Sequence, residues 1–470
     1  MTECTQSSFE FHRLHRRDVV AHFDGGDLTT DAGGLLLRET DRRLNLTARL
    51  AGCFTDHRRA NRTEHPVQQL VAQRIYGLAL GYEDLNDHDQ LRADPLMAVL
   101  GDRADPKGAD RRREQDRGKA GAGKSTLNRL ELTPANADSQ ARYKKIVYSS
   151  EAMDGLLVDI FLESYAEPPT QIVLDVDATD DPIHGMQEGS FFHGYYREYC
   201  YLPLYIICEE FVLCARLRSS NIDPSSGTVE EVQRIVEQIR RKWPQVQIIL
   251  RGDGGFCRDA LMSWCEQHQV DFVFGLAKNK RLVTIIGRQL QEAKVEFEKT
   301  RKAARVFSEF SYRTRKTWKQ ERRVIAKAEH LDKGSNPRFV VTSLSAERMQ
   351  TRAVYEELYC ARGEMENRIK EQQLALFADR TSTALMRSNQ LRLYFSTFAY
   401  QLMQGLRRLG LQGTEMARAQ CQTIRLRLLK IGAQIRVTVR RVCFSLASGY
   451  PLAQLFAQVH RNLRAIPAPA

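Results

Sequence analysis

A chain of 470 residues with 42% hydrophobic content has the ordinary make-up of a soluble globular protein, and the length for a large buried core in roughly two to four domains. Its 70 Lys and Arg exceed its 58 Asp and Glu, a net charge of +12, which suits a polyanionic partner because each cation near a phosphate releases a counterion; charge alone fits a basic protein without such a partner equally well. The ten cysteines form no C-x-x-C pair and no cluster with His, which excludes a zinc site of ordinary spacing, while a charged start and the lack of any apolar run of about 18 residues exclude a signal peptide and a membrane span and point to a cytoplasmic protein with reduced thiols.

Residues 1–165 read as mostly helical. Gly25-Gly26 and Gly33-Gly34 flank a turn that leads into Leu35-Leu36-Leu37-Arg38-Glu39-Thr40. Pro66 to Gly81 has helical apolar spacing through Val67, Leu70, Val71, Ile75 and Leu78. Gly101 to Lys124, rich in Gly, Asp and Arg, reads as an exposed loop. From 171 the pattern turns to strands: Ile172-Val173-Leu174 before Asp175, then Leu202 to Cys208, Phe211 to Leu217, Val246 to Leu250 and Val270 to Leu276. Helical stretches fall between the later ones, Val229 to Trp243 with Ile235, Val236 and Ile239 on one face, and Asp259 to Gln267. Three successive strands, then helix, strand, helix, strand, is the order of a ribonuclease-H-like α/β domain, and other mixed α/β folds share it. Residues 300–345 alternate as strands do, as in Val306 to Phe310 and Phe339-Val340-Val341. Residues 353–376 return to helix. The remainder reads as helical and basic, with 13 Lys or Arg after Thr381 against one acid, Glu415.

Three segments carry chemistry. Asp177 ends an apolar strand, and Asp175 shares its face because side chains alternate along a strand. Two carboxylates on one face repel unless a cation lies between them or water reaches both. Asp253 ends a second strand, after Ile248-Ile249-Leu250-Arg251-Gly252 and before Gly254-Gly255, where α/β proteins put functional groups; a plain Asp-Gly turn is the bland alternative. Tyr359, Arg362, Glu366 and Lys370 follow at intervals of three, four and four, one stripe of a helix. Ordinary ion pairs on a solvated face would look the same. Gly363 inside that helix weakens it and suggests close approach by another group. Two strand-end aspartates and a helical glutamate can hold a pair of Mg²⁺ ions, since hard cations take carboxylate oxygens. Two such ions activate the attacking oxygen and stabilise the leaving one in phosphodiester chemistry.

These segments resemble those of the DDE transposases of bacterial insertion sequences. The likeness is to the branch with the signature Y-x2-R-x3-E-x6-K and a β-stranded insertion before the glutamate, and within it to the group numbered thirteen-eighty. It is carried by Asp175 to Gly185, by Arg251-Gly252-Asp253-Gly254-Gly255-Phe256 and by the Tyr359 segment, with Phe23 to Gly26 and Thr30 to Gly34 also similar, and it extends over nearly the whole chain. It implies that Asp177, Asp253 and Glu366 are the catalytic, metal-binding triad, with Asp175 the alternative at the first position. It implies that Tyr359, Arg362 and Lys370 contact DNA-end phosphates. The signature's last Lys falls on Gln373, which removes one expected contact.

The resemblance further implies a ribonuclease-H-like α/β catalytic domain in two parts, 166–280 and 351–400, split by a β-stranded insertion at 281–350. A helical DNA-end-binding region at 1–165 precedes it and a basic helical region at 401–470 follows. Residues 299–327 hold eleven Lys or Arg against two acids. There Arg315, Lys316 and Lys319 are expected at the DNA end, and Trp318 either stacks on an extruded base or packs a small sheet. Gly118 to Thr126 matches a phosphate-loop string, but Arg111 to Arg117 before it cannot form a buried strand, so ATP is not expected as a partner. The implied function is binding of the element's inverted repeats, hydrolysis at its ends and joining of 3′ ends to target DNA. Two Mg²⁺ ions are expected, replaceable by Mn²⁺, in a homodimer on the nucleoid of a bacterial cytoplasm. The rivals are a nuclease of the same fold without strand transfer and a DNA-binding regulator derived from a transposase.

Overall fold

The computed structural model describes residues 8–467. The chain divides into two compact units: residues 1–149 with 375–377 and 398–470, and residues 150–374 with 378–397.

The second unit is a mixed α/β structure. Its main strands are β1 (Gln171–Ala178), β2 (Leu204–Cys208), β3 (Phe211–Arg216), β4 (Gln247–Gly252), β5 (Asp271–Leu276), β6 (Ala304–Tyr312), β7 (Arg322–Leu331) and β8 (Arg338–Thr342). They run in the order β3-β2-β1-β4-β5-β8-β7-β6, with the short strand Gly334–Ser335 on β7 completing a nine-stranded sheet. β1 pairs antiparallel with β2 and parallel with β4, and β4 is parallel to β5. The crossovers to β4 and β5 use α1 (Thr228–Lys242) and α2 (Asp259–Gln267), as parallel neighbours require. The central strands are apolar runs because both their faces are covered. Helix α1 buries Val232, Ile235, Val236 and Ile239, one stripe of its surface.

The segment expected as a β-stranded insertion opens with two helices, Lys280–Ile285 and Gly287–Thr300, and then extends the main sheet through β6, β7 and β8. Between β1 and β2 lies a small three-stranded sheet that the apolar pattern does not reveal, made of Asp181–Pro182, Phe191–His193 and Glu198–Tyr201.

The first unit is built around Val67–Leu80, a helix buried without interruption from Leu70 to Leu80, Gln73 and Arg74 included. Inside it Arg74 pairs with Glu131 at 2.8 Å. Two expectations are corrected here. Residues 401–470 are not helical throughout: Ala433–Val437 and Val442–Leu446 form a hairpin, because Ala433-Gln434-Ile435-Arg436-Val437 alternates with period two and carries the β-branched Ile435 and Val437 on its apolar face. Gly101 to Lys124 is a loop but not freely exposed, since Ala120 and Ala122 are buried and the Gln73 amide brackets Ala122, accepting from its N–H and donating to its carbonyl. Before Gly118 stands only the tight turn Glu114–Asp116, and Lys124 Nζ lies 3.1 Å from Asn86 Oδ1 and 3.4 Å from Asp89 Oδ2. Among the described residues no helix is long and apolar enough to cross a membrane.

This unit also buries two imidazoles. Burial, with Arg111, Arg103 and Arg58 nearby, lowers His65 to about 3, and burial with Arg74 lowers His88 to about 3, from an ordinary 6.5. Both rings stay neutral when folded and take up a proton when unfolded. Their contribution is therefore complete above about pH 6.5 and is lost as pH falls toward the folded values. The melting temperature is expected to decline as pH drops from about 6.5 to about 4, and the decline should flatten in His65→Gln/His88→Gln. An equally steep decline in that double variant would assign it to other groups.

Candidate active site

Parallel pairing of β1 with β4 aligns Val176 with Gly252, so Asp177 and Asp253 follow side by side at the carboxyl ends of adjacent strands. One step earlier, the same register sets Asp175 opposite Arg251. Asp175 is 6% exposed and its two oxygens accept from Arg251 Nε at 2.5 Å and Nη2 at 2.7 Å. Burial still lifts the Asp175 carboxyl above its ordinary range, against the pull of Arg251. Arg251 Nη1 donates to the Leu358 carbonyl. Asp175 is thus held inside by a two-pronged ion pair, and Asp177 is the one of the two that lines the cleft.

The cleft has a volume of about 730 Å³ and is lined by Asp177, Asp253 and Glu366 together with Arg362, Lys370 and Gln373. Glu366 is carried there by packing. Val354, Tyr355 and Leu358, just before it, are buried against Ile249, Val273, Ile325 and Val340 of β4, β5, β7 and β8. Each such side chain stabilises by roughly 1.5–3 kcal/mol. The Asp253 carboxylate is turned by accepting from the Gly255 N–H at 2.8 Å.

Arg362 lies between two of the acids: Nη2 donates to Glu366 Oε1 at 2.7 Å, and Nη1 is 3.5 Å from Asp177 Oδ2. Burial above all, with Asp253 and Glu366 pushing the same way and Arg362 pulling down, raises the Asp177 carboxyl to about 7. Arg362 and Lys370 are the cations of this cleft, against Asp177, Asp180, Asp253 and Glu366. As the side chains stand, no group of three or more His, Cys, Asp or Glu among the described residues is gathered closely enough to grip a metal ion. The donor set still fits a hard divalent cation in kind, being carboxylate oxygen without thiol.

The stripe from Tyr359 to Lys370 is divided. Val354–Tyr359 forms widened π-type turns, Cys360–Arg362 a tight 3₁₀ turn, and only Gly363–Leu376 is a regular α-helix. Tyr359 lines a neighbouring pocket with Gly254, Gly275, Lys278 and Arg338, still within electrostatic reach of Arg362 and Asp253. Gly275 is needed there, because a Cβ on it would lie 2.6 Å from the Tyr359 hydroxyl. Gly363 marks the start of the regular helix, and nothing lies within 4 Å of where its Cβ would be. Gln373, in place of the signature's Lys, donates to the Asp180 carbonyl at 3.1 Å.

Of the basic run, Arg305, Arg322, Arg323 and Lys327 are paired with acids of the same unit. Arg315, Lys316 and Lys319 are exposed on the β6–β7 connection. Trp318 beside them is only 7% exposed, edge-on to Tyr312 at 5.8 Å and under Arg322 at 5.6 Å, which favours packing over stacking on a base. Three aromatic residues of the cleft wall, His193, Tyr195 and Tyr196, have no place in the sequence expectations. Their signal was the dense run Phe191-Phe192-His193-Gly194-Tyr195-Tyr196.

A family model for the transposase DDE domain, group 1, matches residues 11–468. No curated protein matches the chain. Among solved structures, it is similar to the piggyBac transposase in a synaptic complex with hairpin DNA, at 10% identity and a TM-score of 0.41, over 85% of this chain and 79% of that one. The family's domain is that of an enzyme that cuts and joins DNA. With the model matched over nearly its whole length, the chain belongs to the family of group 1 DDE-domain transposases.

Proposed function

We propose that this transposase binds the inverted repeats of a bacterial insertion sequence, hydrolyses phosphodiesters at the ends, and joins the freed 3′ ends to target DNA. The observation that carries the reading is the convergence of Asp177, Asp253 and Glu366 on one cleft from two adjacent strand ends and one helix. The strand order β3-β2-β1-β4-β5, with only the parallel links made through helices, supports a ribonuclease-H-like catalytic domain. Asp177, Asp253 and Glu366 would hold two Mg²⁺ ions, with Mn²⁺ as a substitute. When bound, these ions supply the charge that activates the attacking oxygen and stabilises the leaving one. Arg362, released from Glu366 by a change of rotamer, and Lys370 on the same wall then hold the non-bridging oxygens of the scissile phosphate. A homodimer on DNA, which cuts both ends together, completes the reading.

The test is a plasmid carrying the repeats that flank the coding sequence, incubated with the protein, Mg²⁺ and an empty target plasmid. Excised element and joined target are expected, and neither with a chelator. Cutting without joining would leave the nuclease alternative, and binding without cutting the regulator.

The exposed β6–β7 connection provides a quantitative check. Neutralising Arg315, Lys316 and Lys319 together removes up to three phosphate contacts. The slope of log affinity against log salt is expected to become shallower by up to about three, at about 0.9 per contact. An unchanged slope takes this connection off the DNA.

A further inference from the structure

The small sheet between β1 and β2 exposes an unusual amount of aromatic surface. Tyr195 is 83% exposed, Phe192 and Tyr199 57% each, and Phe191 43%. Phe192 and Tyr199 face each other across the hairpin, with rings 5.7 Å apart at 71°. At its tip Tyr195 stands edge-on to Tyr196 at 5.0 Å, and Tyr196 lies 4.9 Å from His193. Single exposed aromatics are ordinary, but several rings on one hairpin mark a surface that something covers.

Its position indicates what. His193, Tyr195 and Tyr196 line the same cleft as Asp177, Asp253 and Glu366. Tyr196 lines the cleft with Asp177 and Asp180, and burial together with their charges raises its hydroxyl above its ordinary range. Arg362 and Lys370 contribute positive charge to that wall. A ligand that reaches both groups carries anionic backbone toward the cations and flat apolar faces toward the rings. That is a nucleotide strand, and its bases are free to stack only where they are unpaired.

We propose that the Phe191–Tyr201 hairpin is a stacking platform for unpaired DNA bases next to the scissile phosphate, with Tyr195, on the cleft wall, the principal face and Phe192, on the outer side of the same hairpin, a second one for the bases beyond. The proposal rests on the DNA-cutting reading above and adds that the site selects strand ends that are open. The edge-on packing of Tyr195 against Tyr196 leaves the outer Tyr195 face to solvent, the arrangement a stacking base needs. Stacking on such rings tolerates any base, because every base has a π face.

The test uses the full chain without Mg²⁺ and two labelled probes, a blunt duplex and the same duplex with a short single-stranded thymidine tail. The wild-type chain is expected to prefer the tailed probe by about tenfold, and Tyr195→Ala/Phe192→Ala to reduce that ratio to about twofold. Tyr195→Phe, which keeps the ring, should retain the ratio. 2-Aminopurine in the tail should be quenched by the wild-type chain and not by the double variant. An undiminished ratio in the double variant, or no preference in the wild type, overturns the platform alone. A wild-type chain that binds neither probe overturns the platform and the DNA-cutting reading together.

Discussion

Asp177→Asn, Asp253→Asn and Glu366→Gln are each expected to slow cleavage at the element's ends by at least about a thousandfold, while affinity for the terminal repeat stays within about threefold. The amides keep the shape of the side chains and remove the negative charge that a cation needs. Glu366 also loses its charged partner role toward Arg362, to which it is bonded at 2.7 Å, so its variant should differ in one respect. Arg362 is freed, and duplex affinity should rise slightly rather than fall. The check is a gel assay of nicked and excised products beside an equilibrium titration of binding. If any one variant cuts at near the wild-type rate, that residue does not belong to the triad.

Arg251→Met should lower stability, by about 3–5 kcal/mol, because it leaves Asp175 buried with no partner. In a unit of this size that corresponds to a loss of very roughly 6–20 °C in melting temperature. Activity should fall with it, since Arg251 also donates to the Leu358 carbonyl, at the base of the segment that carries Glu366. Pairing the change with Asp175→Leu removes the orphaned carboxyl and should recover part of the lost stability. Thermal denaturation of the two variants decides it. A melting temperature unchanged in Arg251→Met would mean that the ion pair supports nothing.

The strands of the main sheet were legible in sequence because their signal is strong and local. Ile172 to Leu174, Ile248 to Leu250 and Phe272 to Phe274 are apolar runs, and each lies in a strand. Helix α2 runs from Asp259 to Gln267, the bounds its periodicity predicts. What stayed hidden is non-local. Asp175 and Asp177 carry the same strand-end signal, and only the parallel register that sets Arg251 against Asp175 separates them. The π-type pitch of the Val354–Tyr359 turns is not written in the spacing of Tyr359, Arg362 and Glu366, which a uniform helix would equally explain. Trp318 stood out as an aromatic in a basic run, but its burial depends on Tyr312 and Arg322 across the strand pair. The aromatic hairpin escaped for the opposite reason: its strands are two to four residues long, too short for a periodic signal.

Exchange of the carboxylate for a thiol tests directly whether Asp177 is a metal ligand while Asp175 is not. Asp177→Cys should be inactive with Mg²⁺, which binds sulfur poorly, and regain cleavage with Mn²⁺, which accepts it better. Asp175→Cys should show no such difference between the two metals, whatever activity it keeps. Recovery with Mn²⁺ at Asp177 alone is the predicted result. Recovery at Asp175 instead, or equal inactivity of Asp177→Cys with both metals, would contradict the assignment of the cleft as the place where this transposase cuts DNA.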